Sequence, residues 1–239
     1  MKKRGVVFLN SDVGEGMGLD AKIIPLVGGV NISCGAHAGN KKDQRRAILL
    51  AAEHGTLIGA HPGFPDPTNF GRVEMEMSIE DLRLSLWEQL DSLESLLSNE
   101  GLSMDYIKPH GALYNKMSRE EGFSSEVLRA LQEWRRLPVM VLANSAAVTA
   151  AKKVGAEMIT EGFLDRRYTD AGLLVSRSDK EAMITDVNIA VNQAQALMCG
   201  RGLVTTTGKV LDVKVDSLCV HGDTEGAVSF LQAVLAEGL

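Results

Sequence analysis

Short apolar runs alternate with longer amphipathic stretches along almost the whole chain. Seven of these runs predict strands, because each is short, largely apolar and followed by glycine and polar residues. The predicted strands cover residues 6–9, 29–33, 56–59, 106–107, 139–142, 158–160 and 217–220. Helical patterns fill most of the intervals between them. An alternation of strands and helices favours a mainly parallel sheet.

The clearest helix is predicted over residues 78–99, where apolar side chains recur every three or four positions. Ser78 opens it with a variant of a capping box, and Gly101 is the stop signal. A second apolar stripe runs over residues 183–198. Weaker helical patterns cover residues 43–54, 121–135, 146–154 and 225–236. Alternating residues around a central glycine predict a hairpin within 203–215, before the last strand.

No linker, composition shift or low-complexity tract divides the chain, so we expect one domain over residues 1–239. The 239 residues include 45% hydrophobic ones, enough for a sizeable core. Single-domain β/α barrels typically have ~250 residues. We therefore predict an α/β fold with one closed, seven-stranded, TIM-like β/α barrel. A doubly wound open sheet is the alternative, since periodicity does not distinguish a closed sheet from an open one.

Charge and composition exclude several classes of function. Lys and Arg number 25 against 31 Asp and Glu, a net charge of −6, which argues against nucleic-acid binding. No apolar run approaches the ~18 residues of a membrane span. The basic start, residues 1–4, precedes too short an apolar stretch for a signal peptide and predicts a lead-in to the first strand. Three cysteines without a CxxC motif favour a reducing cytoplasm.

Histidines follow the predicted strands with unusual regularity. Four of the five occupy such positions: His37, His61, His110 and His221. The loops after the strands of a β/α barrel share one face, where the active site lies. A single histidine is usually structural, but four at equivalent strand ends favour a functional cluster. His54 falls in the last turn of a predicted helix, where an imidazolium complements the helix dipole, so we expect a structural role for it.

Two carboxylates, Asp12 and Glu15, are placed by the pattern in a glycine-containing loop after the first strand. They fit a general base or metal ligand with a partner carboxylate. The alternative is a helix N-cap, which Asp commonly provides. An aspartate with two or three histidines could hold a divalent metal with an open position for water. No HExxH or other fixed spacing is present, so the sequence leaves the metal unknown.

Several cations also lie near strand ends. Lys108 stands two residues before His110, and it could bind a carboxylate or phosphate unless it is an ordinary surface lysine. Arg72, Arg166 and Arg177 could each form a bidentate contact with a carboxylate. No GxxxxGK[ST] or GxGxxG phosphate-binding loop occurs in the chain.

The cysteines are expected to be structural. Cys34 stands three residues before His37, which suggests a Cys–His nucleophile, but nothing in the sequence orients the pair. A cysteine at a strand end is more often a small buried hydrophobe. We favour that role for Cys34, and we expect Cys199 and Cys219 in the core.

The strand-end strings form a recognisable set. They are NSDVGE (10–15), NISCGAHAG (31–39), GAHPGFPD (59–66), FGR (70–72), KPHGALYN (108–115), FLDRRY (163–168) and CVHGD (219–223). Together and in this order they resemble the LamB/YcsF family, over about residues 8–225. The resemblance implies a seven-stranded barrel related to glycoside hydrolase/deacetylase barrels. It also implies ATP-dependent opening of 5-oxo-L-proline (pyroglutamate) to L-glutamate, together with subunits B and C of a 5-oxoprolinase.

The resemblance implies roles for individual residues. The implied catalytic residues are Asp12, Glu15, His37, His61 and His110, and the expected substrate-binding residues are Arg72, Lys108, Arg166 and His221. The hypothesis is that Asp12 and the histidines activate water towards an activated, for example phosphorylated, lactam carbon. Lys108, Arg72 or Arg166 would hold the substrate carboxylate or a phosphate. His110 or His221 would protonate the released nitrogen.

Two positions depart from the expected family pattern. Ser11 stands where we expect cysteine, and Val73 where we expect a second arginine after Arg72. The first change is conservative for packing. The second removes a cation from the rim of the expected site.

Two other functions are compatible with the same residues. A stand-alone metal-dependent deacetylase or amidase would use Asp12 and two histidines as ligands. A non-catalytic subunit would bind the carboxylate and assemble the other two subunits. Packing alone needs no polar residue at strand after strand, so a purely structural cluster is disfavoured.

Overall fold

Seven parallel strands close into a barrel in the computed structural model, which describes residues 7–224 and 226–238. The barrel strands are β1 (Phe8–Val13), β2 (Gly29–Ser33), β3 (Leu57–His61), β4 (Tyr106–Ile107), β5 (Val139–Leu142), β6 (Met158–Phe163) and β9 (Ser217–Cys219). Two further strands, β7 (Leu203–Val204) and β8 (Val210–Leu211), lie outside the barrel. Strand β9 pairs with both β1 and β6, which closes the ring. The barrel prediction is confirmed, and the open-sheet alternative is wrong.

Helices surround the barrel. They are α1 (Asp20–Ile23), α2 (Lys41–His54), α3 (Ile79–Asn99), α4 (Gly111–Arg119), α5 (Glu121–Trp134), α6 (Ala146–Val154), α7 (Val187–Cys199) and α8 (Ala227–Ala236), with a 3₁₀ turn at Ile24–Leu26. Ser78 caps α3 as predicted, its Oγ accepting a hydrogen bond from the Asp81 N–H at 3.1 Å. The five leucines of the α3 stripe are buried in the hydrophobic core, while Ile79 at the start of the helix is exposed: the leucines are Leu82, Leu86, Leu90, Leu93 and Leu97. None of the helices in the described ranges has the length and apolar character of a membrane span.

Several predicted boundaries are wrong. Strand β1 extends to Val13, so Asp12 lies within the strand and not in the following loop. Strand β6 likewise continues three residues beyond 160. Helix α7 begins at Val187, because the Asp186 side chain caps it by accepting from the N–H groups of the second and third helical residues. Helices α1 and α4 were not predicted. The basic lead-in at 1–4, Val6 of the first predicted strand and Glu225 lie outside the described residues.

The predicted hairpin is confirmed. Strands β7 and β8 are antiparallel and stand apart from the barrel sheet. Cys219 is buried as predicted, but Cys199 is exposed, because it ends α7 on the outer surface. The core expectation for Cys199 is therefore wrong.

A tyrosine fills the lower part of the barrel. A Cβ atom at Gly59 would lie 2.3 Å from the Tyr106 ring, so only glycine leaves room for the ring at this position. The Tyr106 hydroxyl donates to Asn31 Oδ1 at 2.7 Å. This contact is the lowest layer of a polar network that continues upward to the carboxyl ends of the strands.

Candidate active site

A buried lysine occupies the centre of the upper barrel. Lys108 Nζ lies 3.0 Å from Glu161 Oε1 and 3.1 Å from Asp12 Oδ1. It also contacts Asn10 Oδ1 at 3.3 Å and Cys219 Sγ at 3.1 Å. Burial alone would lower the pKa of Lys108, but the neighbouring Asp12 carboxylate raises it well above its usual value. The ammonium is therefore charged, and its donors are already in use.

The acids around Lys108 have further partners. Glu161 accepts from Asn10 Nδ2 at 2.9 Å through Oε1 and from the Tyr114 hydroxyl at 2.8 Å through Oε2. Asp12 Oδ1 accepts from Asn31 Nδ2 at 2.8 Å. We define Asn10, Asp12, Asn31, Lys108, Tyr114 and Glu161 as the lysine network. Its polar atoms are paired with one another, so it holds Asp12 in one orientation.

Asp12 connects this network to the cavity. Its Oδ2 lies 3.4 Å from His61 Nε2. Burial would raise the pKa of Asp12, but its electrostatic contact with His61 and the Lys108 ammonium hold it well below its usual value. Asp12 is thus an ionised carboxylate with one oxygen fixed by Lys108 and the other directed towards the histidines.

Glu15, His37, His61 and His110 form a second group, which we call the histidine cluster. Their candidate ligand atoms all lie within 4.8 Å of one another, and all four residues are buried. The rings of His37 and His110 stack with centroids 3.7 Å apart. The convergence predicted from the strand ends is confirmed for these histidines. A buried group with this composition can hold a divalent cation.

Burial shifts the titration of Glu15, His37 and His110 towards neutral side chains. It lowers the pKa of His37 to about 3. Burial, together with the neighbouring charges of His37 and His61, lowers the pKa of His110 well below its usual value. The pKa of Glu15 is raised well above its usual value, first by burial and then by the charges of Asp12 and Asp223.

One glycine allows a loop to cover the histidine cluster. Gly71 has φ +63°, and a Cβ there would lie 2.8 Å from both His37 and His110. Its neighbour Phe70 accepts a hydrogen bond at its carbonyl oxygen from His110 Nε2, at 2.8 Å. A side chain at residue 71 would force the loop away from the two rings.

His221 is oriented by an aspartate that was not singled out from the sequence. Asp165 Oδ2 lies 2.9 Å from His221 Nδ1, and it also accepts from the His221 backbone N–H at 3.1 Å. Burial would raise the pKa of Asp165, but the positive charge of His221 and these hydrogen bonds lower it to about 2. With Nδ1 bound, the Nε2 atom of His221 is left for the cavity. The FLDRRY string contains Asp165, two residues after β6, which was its only sequence signal.

Arginines form a rim at the same mouth of the barrel. Arg72 pairs with Asp223, and Arg177 Nη1 lies 3.9 Å from the same carboxylate. Arg166 is buried and donates to the Val175 carbonyl oxygen, while its Nε has no partner among the described residues. Burial and the charge of Arg177 lower the pKa of Arg166 to about 10. Since two guanidinium groups share the Asp223 carboxylate and a third keeps a donor free, this rim favours an anion.

A cavity of about 780 Å³ is lined by acids, histidines and arginines of these groups. Eight of the predicted site residues line it: Asp12, Glu15, His61, Arg72, Lys108, His110, Arg166 and His221. His37 lies behind His110, outside the lining. His54 is exposed at the end of α2, on no wall of the cavity. Ligand cavities in proteins commonly measure about 300–1,000 Å³, so this one suits a small molecule.

Comparison with known proteins decides the family. The family model described as "LamB/YcsF family" matches residues 7–237. The chain belongs to the LamB/YcsF family. A relative from Neisseria meningitidis serogroup C, named as the A-subunit of 5-oxoprolinase, is 39% identical over 232 residues, which are 97% of this chain and 95% of the relative. A relative with the same name from Pyrococcus furiosus is 37% identical, over 93% of this chain and 89% of its own.

Solved structures agree with this family. The crystal structure of a lactam utilization protein from Thermus thermophilus has a TM-score of 0.89 and 34% identity, covering 97% of this chain and 96% of its own. A putative cellobiose-phosphate cleavage protein from Enterococcus faecalis V583 has a TM-score of 0.60 at 12% identity, covering 98% and 95%. The second likeness shows only a shared fold.

The two departures from the LamB/YcsF pattern differ in position. Ser11 is fully buried and donates to the Val220 carbonyl oxygen at 2.6 Å, a packing role between β1 and β9. Val73 lines the cavity and is 51% exposed, so the missing arginine would have stood at the rim.

The structure also bears on the cysteine of the LamB/YcsF string NISCGAHAG. Burial raises the pKa of Cys34 to about 12, so its thiol is not activated as a nucleophile. Its role as a small buried hydrophobe, favoured from the sequence, is confirmed.

Proposed function

We propose that this chain is the ring-opening component of a 5-oxoprolinase, which acts on 5-oxoproline with ATP and two partner subunits, B and C. The observation that carries this proposal is the cavity, which is lined by an ionised Asp12 beside histidines and also by arginines. A lactam with a carboxylate presents matching groups: a carbonyl carbon for attack and an anion for the arginines. The names of the LamB/YcsF relatives support the same substrate.

The reaction adds water to the lactam carbonyl carbon and breaks the ring C–N bond, which gives glutamate. Asp12 takes the role of general base towards that water, through the oxygen that Lys108 leaves free. Lys108 is a positioning residue in this proposal, because its contacts with Asp12, Glu161, Asn10 and Cys219 leave none of its three N–H donors for substrate. The lactam is an unstrained amide, so coupling to ATP favours its opening.

The leaving nitrogen needs a proton, and the geometry favours His221 over His110 as its donor. His221 is anchored at Nδ1 by Asp165, and its ring stacks on Phe163 with centroids 5.2 Å apart. Both ring nitrogens of His110 are engaged, by His61 at 2.9 Å and by the Phe70 carbonyl at 2.8 Å. A histidine held by a buried aspartate is well suited to proton transfer.

Arg72 and Arg166 are the residues that we propose for binding the substrate carboxylate or a phosphate. Both line the cavity, and Arg166 Nε has no partner among the described residues. We expect ATP to act with the partner subunits, because the sequence contains no phosphate-binding loop. A cytoplasmic location also stays a proposal, on the use of three free cysteines.

The histidine cluster favours a second function, a stand-alone deacetylase or amidase that uses a divalent metal. This function requires neither ATP nor partners. The two proposals therefore differ in what the reaction needs.

The deciding experiment measures glutamate release from 5-oxoproline by the purified chain, with and without ATP and the candidate B and C subunits. Glutamate formed only with ATP and both partners supports the 5-oxoprolinase proposal. Hydrolysis of small amides or acetylated sugars by the chain alone, with no glutamate from the assembled complex, overturns it in favour of the second function.

A matched pair of variants tests the role of Asp12 in that assay. Asp12→Asn keeps the shape and the acceptor towards Lys108 but removes the base, so we expect turnover to fall by about 100-fold or more. Asp212→Asn changes an exposed aspartate away from the cavity and should leave turnover unchanged. Full turnover of a folded, assembled Asp12→Asn complex is the outcome that excludes Asp12 as the base. If the Asp12→Asn complex still produces glutamate at the full rate, only the role of Asp12 as base is excluded, and the rest of the proposal stands.

A further inference from the structure

Two histidines of the cluster have their tautomers fixed by backbone carbonyls. His61 Nδ1 lies 2.7 Å from the Lys108 carbonyl oxygen, and His110 Nε2 lies 2.8 Å from that of Phe70. A carbonyl oxygen only accepts hydrogen bonds, so both of these nitrogens carry a hydrogen. In the neutral rings, His61 Nε2 and His110 Nδ1 are then both unprotonated.

These two unprotonated nitrogens face each other at 2.9 Å. Two lone pairs repel at this distance unless a cation lies between them, either a proton or a metal ion. A proton between them would be shared by these two nitrogens only. Here a carboxylate oxygen also approaches, since Glu15 Oε1 lies 3.9 Å from His110 Nδ1 and 3.2 Å from His37 Nε2.

We propose that the histidine cluster binds one divalent metal ion of the zinc class. The ligand atoms are Glu15 Oε1, His61 Nε2 and His110 Nδ1, and they belong to a group whose candidate ligand atoms all lie within 4.8 Å of one another. The His37 ring lies parallel to that of His110 at 3.7 Å, so one ion cannot lie in the planes of both rings, and His37 stays outside the ligand set. Zinc–nitrogen bonds of about 2.0–2.1 Å place the ligand atoms of a tetrahedral site about 3.3 Å apart. The separations of 2.9 Å between His61 Nε2 and His110 Nδ1 and of 3.9 Å between His110 Nδ1 and Glu15 Oε1 lie on both sides of that value.

The surroundings of the rings fit the same purpose. Metal-bound histidines commonly donate their second N–H to a backbone carbonyl or carboxylate, which fixes the ring and its tautomer. His61 and His110 both do so. Two imidazoles and one carboxylate form a donor set that zinc and cobalt prefer over magnesium or calcium.

His37 has a supporting position. It contacts Glu15 at 3.2 Å and stacks on His110, while its Nδ1 is buried without a partner among the described residues. We expect its removal to weaken metal binding least. Asp12 lies outside the group of ligand atoms within 4.8 Å of one another; its Oδ1 is bound to Lys108 and Asn31, and its Oδ2 approaches His61 Nε2 at 3.4 Å. The metal site proposed here therefore differs from Asp12 with two histidines.

This inference rests on the ring geometry and not on the proposed function. Its test is the binding of Zn²⁺ and Co²⁺ to untagged protein that has been stripped with a chelator. Calorimetry should give one Zn²⁺ per chain, and Co²⁺ should give the intense visible absorption of a four-coordinate site. The Co²⁺ spectrum needs no variant, so it decides the proposal even where a substitution prevents folding.

Matched variants identify the ligands. His61→Gln and His110→Gln should each weaken Zn²⁺ binding by at least about 100-fold, more than loss of an outer partner costs. His37→Gln should weaken it less. His54→Gln removes an exposed histidine at the end of α2 and should leave binding unchanged.

Two results overturn the proposal. One is the absence of stoichiometric Zn²⁺ and Co²⁺ binding by the folded wild-type chain, with a strongly downfield proton resonance shared by His61 and His110. The other is equal loss of binding in His54→Gln and His61→Gln. Metal binding without glutamate formation by the complex would support this inference and count against the proposed function.

Discussion

The lysine network and the histidine cluster lie side by side at the mouth of the barrel, joined by the 3.4 Å contact between Asp12 and His61. Both are buried and polar, but they differ in how fully they are paired. In the lysine network each acid meets a donor, and Lys108 meets several acceptors. In the histidine cluster two acceptors face each other, and one ring nitrogen has no partner among the described residues.

This difference separates two uses of buried polar groups. A fully paired network gains from every member and stabilises one arrangement. A buried polar group whose acceptors have no donor destabilises the unliganded protein. Such groups are therefore expected where a bound ligand offsets that cost. We therefore assign positioning and stability to the lysine network, and ligand binding to the histidine cluster.

The largest expected effect breaks the lysine network. Lys108→Met removes the ammonium and leaves Asp12 and Glu161 buried without their cation. The free energy of unfolding should fall by about 3–5 kcal/mol, the cost of breaking a buried charge pair. Urea denaturation measures it, with Lys22→Met as the exposed control. A loss below about 1 kcal/mol would mean that the network is not a stabilising unit.

A smaller effect is expected at the Asp165–His221 pair. The pKa of Asp165 is about 2 in the folded protein against an ordinary value of 3.8. Between these values the unfolded chain binds more protons, so this stabilising contribution is present above about pH 4 and is lost as the pH falls through about 2. Asp165→Asn should lower stability at pH 7 by about 2 kcal/mol and flatten the acid limb.

Urea denaturation between about pH 2 and pH 7 checks this prediction, because stability is then compared across both pKa values. Asp212→Asn, on the exposed surface, is the control. An acid limb of Asp165→Asn as steep as that of the wild type would show that the loss arises elsewhere.

In contrast to the lysine network, the histidine cluster should lose little stability when one of its members is changed conservatively. Glu15→Gln keeps an acceptor towards His37, and the close side-chain contacts of Glu15 within the described residues are histidines. In metal-free protein we expect the free energy of unfolding to change by less than about 1 kcal/mol. Zn²⁺ affinity and turnover should nevertheless fall. A destabilisation like that of Lys108→Met would place Glu15 in the structural network instead.

The sequence predicts the strands and the histidine cluster better than it predicts the paired acids. Each strand has its own apolar run, and the residues after it carry the histidines, so local patterns suffice for the strands and for the cluster, although they do not show that the sheet closes. Glu161 and Asp165 have no such local signal. Their partners Asn10 and His221 lie 151 and 56 residues away, and only the closed barrel brings them together.

Polar residues inside the barrel also explain the boundary errors. The predicted first strand ends at residue 9, because Asn10, Ser11 and Asp12 break the apolar run. These residues still form β1, since their polar atoms are satisfied across the barrel. Proline and glycine in the KPHG string are typical of loops, so these residues hide the start of α4 at Gly111. At these positions, contacts between residues far apart in the sequence outweigh local secondary-structure propensity. Such long-range contacts are not visible in the sequence.

The smallest expected effect concerns the arginine rim, where Val73 stands in place of a second arginine. Val73→Arg adds a cation to an exposed wall of the cavity, where a charge contact contributes at most about 1 kcal/mol. We expect KM for 5-oxoproline to fall by about 2- to 5-fold, with kcat and stability nearly unchanged.

Val204→Arg is the matched control for this change, because Val204 is 58% exposed on the β7–β8 hairpin and does not line the cavity. Steady-state kinetics of the assembled complex at two salt concentrations distinguishes the variants, since only a rim contact with the substrate anion weakens with salt. If Val73→Arg and Val204→Arg lower KM equally, the effect comes from overall charge. The rim would then bind its anion through Arg72 and Arg166 alone, with residue 73 outside the binding surface.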